Sequence, residues 1–308
     1  MNHFRLEVIA FLGAIRFFTR IPIPDAVPHS PEGLNHSARY FPAVGILVGL
    51  LSAVVFGLSN LLYPESVCII IATAASVYLT GAFHEDGLSD MADGLGGGWD
   101  KMRILEIMKD SRVGSYGVIA IAMTLLAKFT LLSALNASWM PLLLVAGHAF
   151  SRYCAVLIMA GMNYVREDAS SKAKPLATQL SRNALIVASV FGLLPLLLLP
   201  ISASLAGISL GLLATIWLGS KLQKWLGGYT GDCLGATQQL SELAFYLGVK
   251  DIQKLQRLIV DALEDVKAQD IVVFNTEHLS PLFERVIIAS GTSNRQTKAL
   301  AEIGRAHV

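Results

Sequence analysis

The stretch FPAVGILVGLLSAVVFGLSNLLY, residues 41–63, contains no Asp, Glu, Lys or Arg. A helix that crosses a bilayer needs about twenty mostly apolar residues. Similar runs occupy 67–83, 116–135, 139–162, 184–200 and 201–219. They are too long and continuous for barrel strands, and an open sheet in lipid would leave backbone amides unpaired. The sequence therefore predicts an all-α polytopic membrane protein with about six to seven transmembrane helices. The segment 234–248, which is apolar on one side only, is either the seventh or an interfacial helix.

Composition supports this class. Of 308 residues, 54% are hydrophobic and 15% charged, and the mean hydropathy is +0.56. The surplus of apolar side chains indicates a lipid bilayer as partner, and a net charge of +1 provides no field that would attract nucleic acid. Cys68, Cys154 and Cys233 are far apart, which favours neither a disulfide framework nor a zinc site.

Basic residues predict the orientation of the spans. Lys and Arg collect in alternate connections: Arg5, Arg16, Arg20 and Arg39; Lys101, Arg103, Lys109 and Arg112; Arg166, Lys172, Lys174 and Arg182; Lys221 and Lys224. The intervening connections near 64–66, 136–138 and Pro200 have none. Because short basic loops stay in the cytoplasm, all of the basic connections are expected there. We interpret the N-terminal stretch 1–24 as an amphipathic helix at the membrane edge rather than a removable signal peptide.

The acidic stretch GAFHEDGLSDMADGLGGGWD, residues 81–100, is the first candidate site. Asp86, Asp90 and Asp93 follow at intervals of four and three, so they share one face of a helix. Crowded carboxylates favour a hard divalent cation, and Mg²⁺ is the first candidate. Gly87, Gly94 and the run 96–98 would let backbone approach a phosphate. Glu85 and Asp100 are interpreted as solvated helix-end residues.

Two further clusters belong to the same predicted side. Lys109, Asp110, Ser111 and Arg112, followed by Gly114, could hold phosphate oxygens, or else anchor the chain at the membrane. The stretch GGYTGDCLGATQQLSE, 227–242, contributes Thr230, Gly231, Asp232, Gly235 and Glu242. A bland alternative is that Thr230 caps the next helix and Asp232 lies in its first turn, although Glu242 lies inside an apolar stretch. His84 is either a base or an ordinary hydrogen-bonded residue, and His148 and Arg152 are interpreted as lining the bundle.

At these residues the chain resembles the cobalamin synthase family, the adenosylcobinamide-GDP ribazoletransferases, over about 11–248. The resemblance depends on FFTRIPIP at Phe17, FPAVG at Phe41, HxDGxxDxxDG from His84, IMKDSRVGSYG from Ile107 and GGYTGDCLGA from Gly227. It implies that adenosylcobinamide-GDP and α-ribazole, or its 5′-phosphate, are joined to give adenosylcobalamin, or its phosphate, and GMP. It also implies Mg²⁺ and a multi-pass location in the bacterial cytoplasmic (inner) membrane, with the active site facing the cytoplasm.

Within that expectation the residues take three roles. The catalytic candidates are Asp86, Asp90, Asp93, Asp232 and Glu242, and the metal ligands are Asp86, Asp90 and Asp93. The substrate-binding candidates are His84, Gly87, Gly94, Lys109, Asp110, Ser111, Arg112, Gly114, Thr230, Gly231 and Gly235. Asp232 or Glu242 is expected to bind metal or accept the proton of the attacking hydroxyl.

The composition changes after residue 248. The segment 249–301 is soluble in character, with an amphipathic helix through Leu263 and strands at 271–275 and 285–290. It resembles part of the iojap-like ribosomal silencing factors through KAQDIVVFNT from Lys267 and VIIASGTSNRQTKALA from Val286. We expect a short, incomplete α/β fragment that does not bind ribosomes. Its junction with the membrane domain is interpreted as an assembly or gene-calling chimera rather than an evolved bifunctional protein. The last residues, EIGRAHV at 302–308, match a translated sequencing adapter and are predicted to be non-native, the alternative being an ordinary terminus.

Three other classes of protein share some of these features. A CDP-alcohol-type membrane phosphotransferase also uses an Asp-rich helix, but its DGxxAR signature is absent because Asp90 and Met91 fill the last two positions. A transporter would carry charges near the centres of its spans, whereas the motifs above lie at span ends. A membrane-tethered ribosome-binding module would depend on the incomplete tail.

Overall fold

The computed structural model describes residues 3–24, 27, 31–165, 180–249, 252–276 and 285–306. The chain divides into two compact units, Met1–Val249 and Lys250–Val308. The described part of the first unit is helical, with α1 His3–Phe18, α2 Pro31–Ser37, α3 Phe41–Ser59, α4 Glu65–Thr80, α5 Phe83–Gly97, α6 Lys101–Ile107, α7 Ser115–Ser133, α8 Met140–Gly161, α9 Arg182–Leu193, α10 Ile201–Leu226 and α11 Gly231–Gly248.

The predicted class is confirmed, with fewer spans than expected. Among the described residues, four helical segments are long and apolar enough to cross a membrane: Gly33–Ser59, Ser115–Ser133, Ala137–Gly161 and Ile201–Leu226. A fifth span results if α4 and α5, which bend by 85°, count together. The predicted span 184–200 is a shorter apolar segment, Arg182–Leu198, in which the helix gives way to a 3₁₀ turn containing Pro195. The basic residues Arg166, Lys172 and Lys174 lie outside the described residues.

Close packing of α3 against α8 forms the core of the bundle. A Cβ on Gly45 would overlap the backbone of His148, and one on Gly49 would lie 2.5 Å from the Cα of Val145. Two small residues four apart let helix backbones approach closely inside a membrane. The apolar stretch that predicts a span thus also contains the contact face of that span.

The turn between α4 and α5 redirects the acidic helix. Gly81 and Ala82 both adopt the left-handed conformation, with φ of 67° and 58°. A non-glycine residue in this region is strained unless its surroundings hold it there. Here the segment that follows α1 helps to hold the turn. The backbone N–H of Arg20 donates to Leu79 O, and the Arg20 guanidinium lies 5.4 Å from the ring centre of Tyr78. The acidic helix α5 therefore runs at 85° to α4.

Helix α11 lies in the interior of the first unit. It packs against α5, α7, α8 and α10, and its residues from Cys233 to Gln239 are all buried. It does not reach the apolarity of the four candidate spans. The question left open by its mixed sequence is answered by burial: α11 is surrounded by other helices, which explains how it carries several polar side chains.

The second unit is a small α/β arrangement, as predicted. It comprises α12 Ile252–Asp265, β1 Gln269–Asn275, β2 Arg285–Ser290 and α13 Asn294–Ala306. The two strands pair antiparallel, with Val273 opposite Ile287 and Phe274 opposite Val286. The strands expected at 271–275 and 285–290 are therefore present, the first extended by two residues at its start.

Candidate active site at the crossing of two helices

The acidic helix α5 and the start of α11 meet at two glycines. A Cβ on Gly87 would lie 2.8 Å from the carbonyl oxygen of Asp232, and one on Gly235 would lie 3.1 Å from that of His84. Only glycine permits an approach this close without displacing a neighbour. The two motifs, more than a hundred residues apart in sequence, are thus brought together.

The three carboxylates of α5 differ in exposure. Asp86 is exposed, Asp90 is partly buried and Asp93 is buried. Asp232, on α11, is also partly buried. Asp86 and Asp90 lie one helical turn apart and therefore share a face, as predicted. Within the described part of the chain, no three His, Cys, Asp or Glu side chains are already grouped to hold a metal ion.

Asp93 has a bonding role that the sequence did not reveal. Its carboxylate accepts hydrogen bonds from the backbone N–H of Gly114 at 2.7 Å and of Gly117 at 2.9 Å. These N–H groups belong to the first turn of α7 and have no partner within the helix. Asp93 thus caps α7 from another helix, and its assignment as a metal ligand stays a prediction.

The predicted phosphate cluster lies on an open cleft beside this cap. The cleft has a volume of about 520 Å³ and is lined by Asp93, Arg103, Asp110, Arg112 and Tyr116, among others. Arg112 Nη2 donates to Asp110 Oδ2 at 2.7 Å, which lowers the pKa of the Asp110 carboxyl to about 2. Lys109, Ser111 and Arg112 are exposed, and Gly114 is partly buried. The cluster is therefore accessible from solvent, as a substrate-binding surface requires.

The glycines at the end of α5 pack against protein. Additional Cβ atoms would meet the side chain of Met108 at Gly94, the ring of Tyr116 at Gly96 and the side chain of Ile104 at Gly98. These contacts hold α6 and the start of α7 against α5. Packing therefore gives a structural reason for the glycines at 94, 96 and 98, and the assignment of Gly94 to substrate binding stays a prediction.

Glu242 lies deep in the bundle and is fully bonded. Oε1 contacts Lys128 Nζ at 2.7 Å and accepts from Tyr246 Oη at 2.9 Å, while Oε2 accepts from Gln238 Nε2 at 2.7 Å. His148 Nδ1 lies 3.7 Å away. A buried charge is tolerated only when paired and hydrogen-bonded. The arrangement favours a structural role for Glu242, and its catalytic assignment stays a prediction.

A chain of hydrogen bonds links this buried pair to α5. Gln239 Nε2 donates to Gln238 Oε1 at 2.9 Å and to Glu85 Oε1 at 2.9 Å. Glu85 is partly buried, so its interpretation as a solvated helix-end residue is wrong. Thr230, by contrast, does cap α11 as the bland alternative proposed, since its hydroxyl accepts from the N–H of Cys233 at 3.4 Å.

An aromatic cavity adjoins the crossing. It is small, with a volume of about 20 Å³. Its walls are formed by Phe17, Phe18, Phe41 and Phe83, and it also touches His84 and Arg152. The ring of His84 stacks on that of Phe18 with centroids 5.3 Å apart. Gly231 and Gly235 of α11 line the same space.

Sequence reasoning missed Lys128 and underrated Arg152. Both lie in apolar helices, Lys128 in α7 and Arg152 in α8, and both are almost completely buried. An ionisable residue inside a candidate span is itself a signal of function or of a buried partner. The chain therefore carries charges inside its apolar helices in addition to the motifs at span ends that were set against a transporter.

Apolar helical spans, two acidic helices in close contact and an open cleft with charged walls define this part of the chain as a polytopic membrane protein. A model of the family described as cobalamin-5-phosphate synthase matches residues 10–250. The chain therefore belongs to the cobalamin-5-phosphate synthase family.

Curated relatives named adenosylcobinamide-GDP ribazoletransferase agree with this assignment. The protein from Shewanella amazonensis is 48% identical, with 80% of this chain and 96% of the relative aligned. The protein from a Polaromonas species is 44% identical over 81% of this chain and 99% of its own length. The Vibrio cholerae protein is 43% identical over 79% and 94%. No solved structure matches the chain.

A second family, ribosomal silencing factor during starvation, matches residues 249–306. This confirms the resemblance of the tail. The match continues through 302–306, which overlaps the segment attributed to an adapter. That attribution stays a prediction.

Proposed function

We propose that this protein is an adenosylcobinamide-GDP ribazoletransferase. It joins adenosylcobinamide-GDP to α-ribazole, or to α-ribazole 5′-phosphate, and releases GMP. The membrane-spanning unit performs this reaction from the cytoplasmic face of a bacterial inner membrane. The convergence of α5 and α11 at Gly87 and Asp232 supports the proposal, because it brings the two helices that carry the distant acidic motifs into contact.

The residues at the crossing fit Mg²⁺ in their chemistry. Asp86, Asp90 and Asp232 offer hard oxygen donors and retain access to solvent. Mg²⁺ commonly takes one or two protein carboxylates and completes its shell with water and substrate phosphates. Among the described residues no three such side chains form a preformed ligand set, which is compatible with this usual coordination of Mg²⁺. Asp86 and Asp90 are the principal proposed ligands, with Asp93 retained from the sequence motif.

When bound, Mg²⁺ would neutralise charge on the diphosphate and on the departing GMP. The chain's own residues position the reactants. Arg112, on the open cleft, and the exposed Lys109 offer donors for phosphate oxygens of adenosylcobinamide-GDP. At the start of α11, a Cβ on Gly231 would meet no atom within 4 Å, so this glycine leaves room for the diphosphate to approach the backbone.

The proposed chemical step is an in-line displacement at phosphorus. A ribazole hydroxyl oxygen forms a bond to the phosphorus on the cobinamide side, and the bond from that phosphorus to the oxygen bridging to GMP breaks. GMP leaves with the electron pair of that bond, and the hydroxyl proton passes to a carboxylate. Asp232 suits this proton transfer better than Glu242, because Asp232 retains access to solvent whereas Glu242 is buried in an ion pair with Lys128.

Release of GMP from adenosylcobinamide-GDP and α-ribazole tests the proposal. Membranes containing the full chain should release GMP with Mg²⁺, and added chelator should stop the release. Asp90→Asn should abolish turnover while the protein stays folded, and Asp100→Asn serves as the matched control because Asp100 only caps α6. GMP release by Asp90→Asn at close to the wild-type rate would refute the proposed centre.

A further inference from the structure

The open cleft beside α5 is large enough for a nucleotide. Its volume of about 520 Å³ lies within the range of roughly 300 to 1,000 Å³ that is typical of small-molecule sites. Asp93 forms part of its wall and follows Asp90 by about one helical turn on α5. A ligand in the cleft therefore lies against the helix that carries the proposed metal ligands.

The ring of Tyr116 offers an aromatic surface in this cleft. A Cβ on Gly96 would lie 2.6–2.8 Å from three carbon atoms of the ring, so one face of the ring covers Gly96 of α5. Tyr116 is nevertheless 55% exposed, and it lines the cleft. A supported aromatic ring with an exposed surface is a platform on which a nucleic-acid base can stack.

An ion pair on the cleft wall offers both a donor and an acceptor to the edge of a base. Arg103 Nη1 donates to Glu106 Oε2 at 2.8 Å, and both side chains line the cleft. Their side chains are 56% and 69% exposed, so a ligand can reach them. A guanidinium has two further nitrogens and a carboxylate one further oxygen with which to contact that ligand. Guanine presents an acceptor at O6 beside donors at N1 and N2, which complements such a pair.

A second ion pair orients a guanidinium for phosphate. Asp110 Oδ2 accepts from Arg112 Nε at 3.2 Å and from Nη2 at 2.7 Å, while Oδ1 accepts from the backbone N–H of Arg112 at 3.0 Å. These contacts hold the guanidinium in one orientation, and its third nitrogen, Nη1, takes part in none of them. A planar guanidinium held in this way suits a phosphate oxygen.

Resting on the proposed function, we infer that this cleft is the subsite for the guanosine monophosphate portion of the donor, the part released as GMP. Tyr116 stacks on the guanine, Glu106 accepts hydrogen bonds from its N1 and N2, and Arg112 donates to phosphate. The other parts of the substrates match these walls less well. The benzimidazole of α-ribazole has no N–H to donate to Glu106, and the corrin is too large for the cleft.

Equilibrium dialysis of the detergent-solubilised full chain with GMP, IMP and AMP, in the presence of Mg²⁺, tests the inference without catalysis. IMP lacks only the 2-amino group of GMP, and AMP has a donor at position 6 and an acceptor at position 1, the reverse of guanine. GMP should bind about tenfold more tightly than either, because a hydrogen bond to a charged group commonly contributes that much. Equal binding of the three nucleotides, or no binding of GMP, would overturn the assignment.

A carboxylate variant tests recognition of the guanine edge. Glu106→Ala should weaken GMP binding about tenfold and remove the preference for GMP over IMP. The variant should fold, because an exposed ion pair contributes little to stability. Met102→Ala is the matched control, because Met102 is 75% exposed on the same helix and lies outside the cleft.

A ring variant tests stacking separately. Tyr116→Leu should weaken GMP, IMP and AMP by the same factor, about tenfold, because stacking does not depend on the identity of the base. Tyr116→Phe keeps the ring and should bind all three as the wild-type chain does. Unchanged GMP binding in both Glu106→Ala and Tyr116→Leu would reject this cleft as the nucleotide subsite.

The two proposals fail in distinguishable ways. If the wild-type chain prefers GMP, loses this preference in Glu106→Ala and yet releases no GMP from the two substrates, the transferase reaction is rejected and the subsite is kept. If the chain releases GMP normally and neither Glu106→Ala nor Tyr116→Leu changes the KM for adenosylcobinamide-GDP or the binding of GMP, the subsite is rejected and the transferase is kept.

Discussion

Replacing Gly87 by alanine should damage both stability and turnover, because α5 and α11 touch at this residue. The new Cβ would lie 2.8 Å from Asp232 O and 3.0 Å from its Cα. Non-bonded carbon atoms prefer about 3.5–4.0 Å, so the helices must separate by about 0.5 Å or more. Overpacking of this kind costs about 1–3 kcal/mol of unfolding free energy.

The loss of activity follows from the same displacement. A misplacement of 1 Å can cost about a hundredfold in rate, so a shift half as large should cost about tenfold. Thermal unfolding in detergent measures the first effect, and GMP release per folded molecule measures the second. Gly57→Ala is the control, since a Cβ at Gly57 meets no atom within 4 Å. If Gly87→Ala matched Gly57→Ala in melting temperature and turnover, the close crossing would be disproved.

Three other predictions follow from named contacts. Lys128→Met should destabilise the bundle by about 3–5 kcal/mol, because it leaves the Glu242 carboxylate buried without its cation; an unchanged melting temperature would contradict this. Asp93→Ala should cost about 2 kcal/mol through the lost cap of α7, and the Mg²⁺ concentration for half-maximal GMP release by the same variant shows whether Asp93 is also a ligand. Ending the chain after Val249 should leave GMP release unchanged, since the family match and the compact helical unit both lie within 1–250; a large loss would assign the tail a part in the reaction.

The sequence predicted the class of fold and the pairing of motifs well, because both depend on strong local signals. Long uncharged runs require helices in lipid, and the spacing of Asp86 and Asp90 places both on one face. The cap at Thr230 and the strand at 285–290 are equally local, and both are present. The meeting of α5 and α11 could be predicted only as a shared membrane face, since nothing in the sequence gives their distance.

The features that were missed depend on tertiary contacts. Lys128 and Glu242 lie far apart in sequence, so their ion pair cannot be read from spacing. In the sequence, Asp93 resembles another member of the acidic face of α5. In the structure it caps α7, which is separated from α5 by α6. The glycines at 94, 96 and 98 resemble a phosphate loop, while their lack of side chains serves the packing of α6 and α7. In each case the sequence identifies the residue but not the residue that it contacts.

Paired cysteines at positions 90 and 232 test the convergence of the two motifs most directly. Cys68, Cys154 and Cys233 are fully buried, so a maleimide should label only the introduced thiols. We expect micromolar Cd²⁺ to protect the Asp90→Cys/Asp232→Cys pair from labelling and to leave each single variant reactive, because thiolates from both helices can then bind one ion. Labelling of the double variant at the same rate with and without Cd²⁺ would contradict the account.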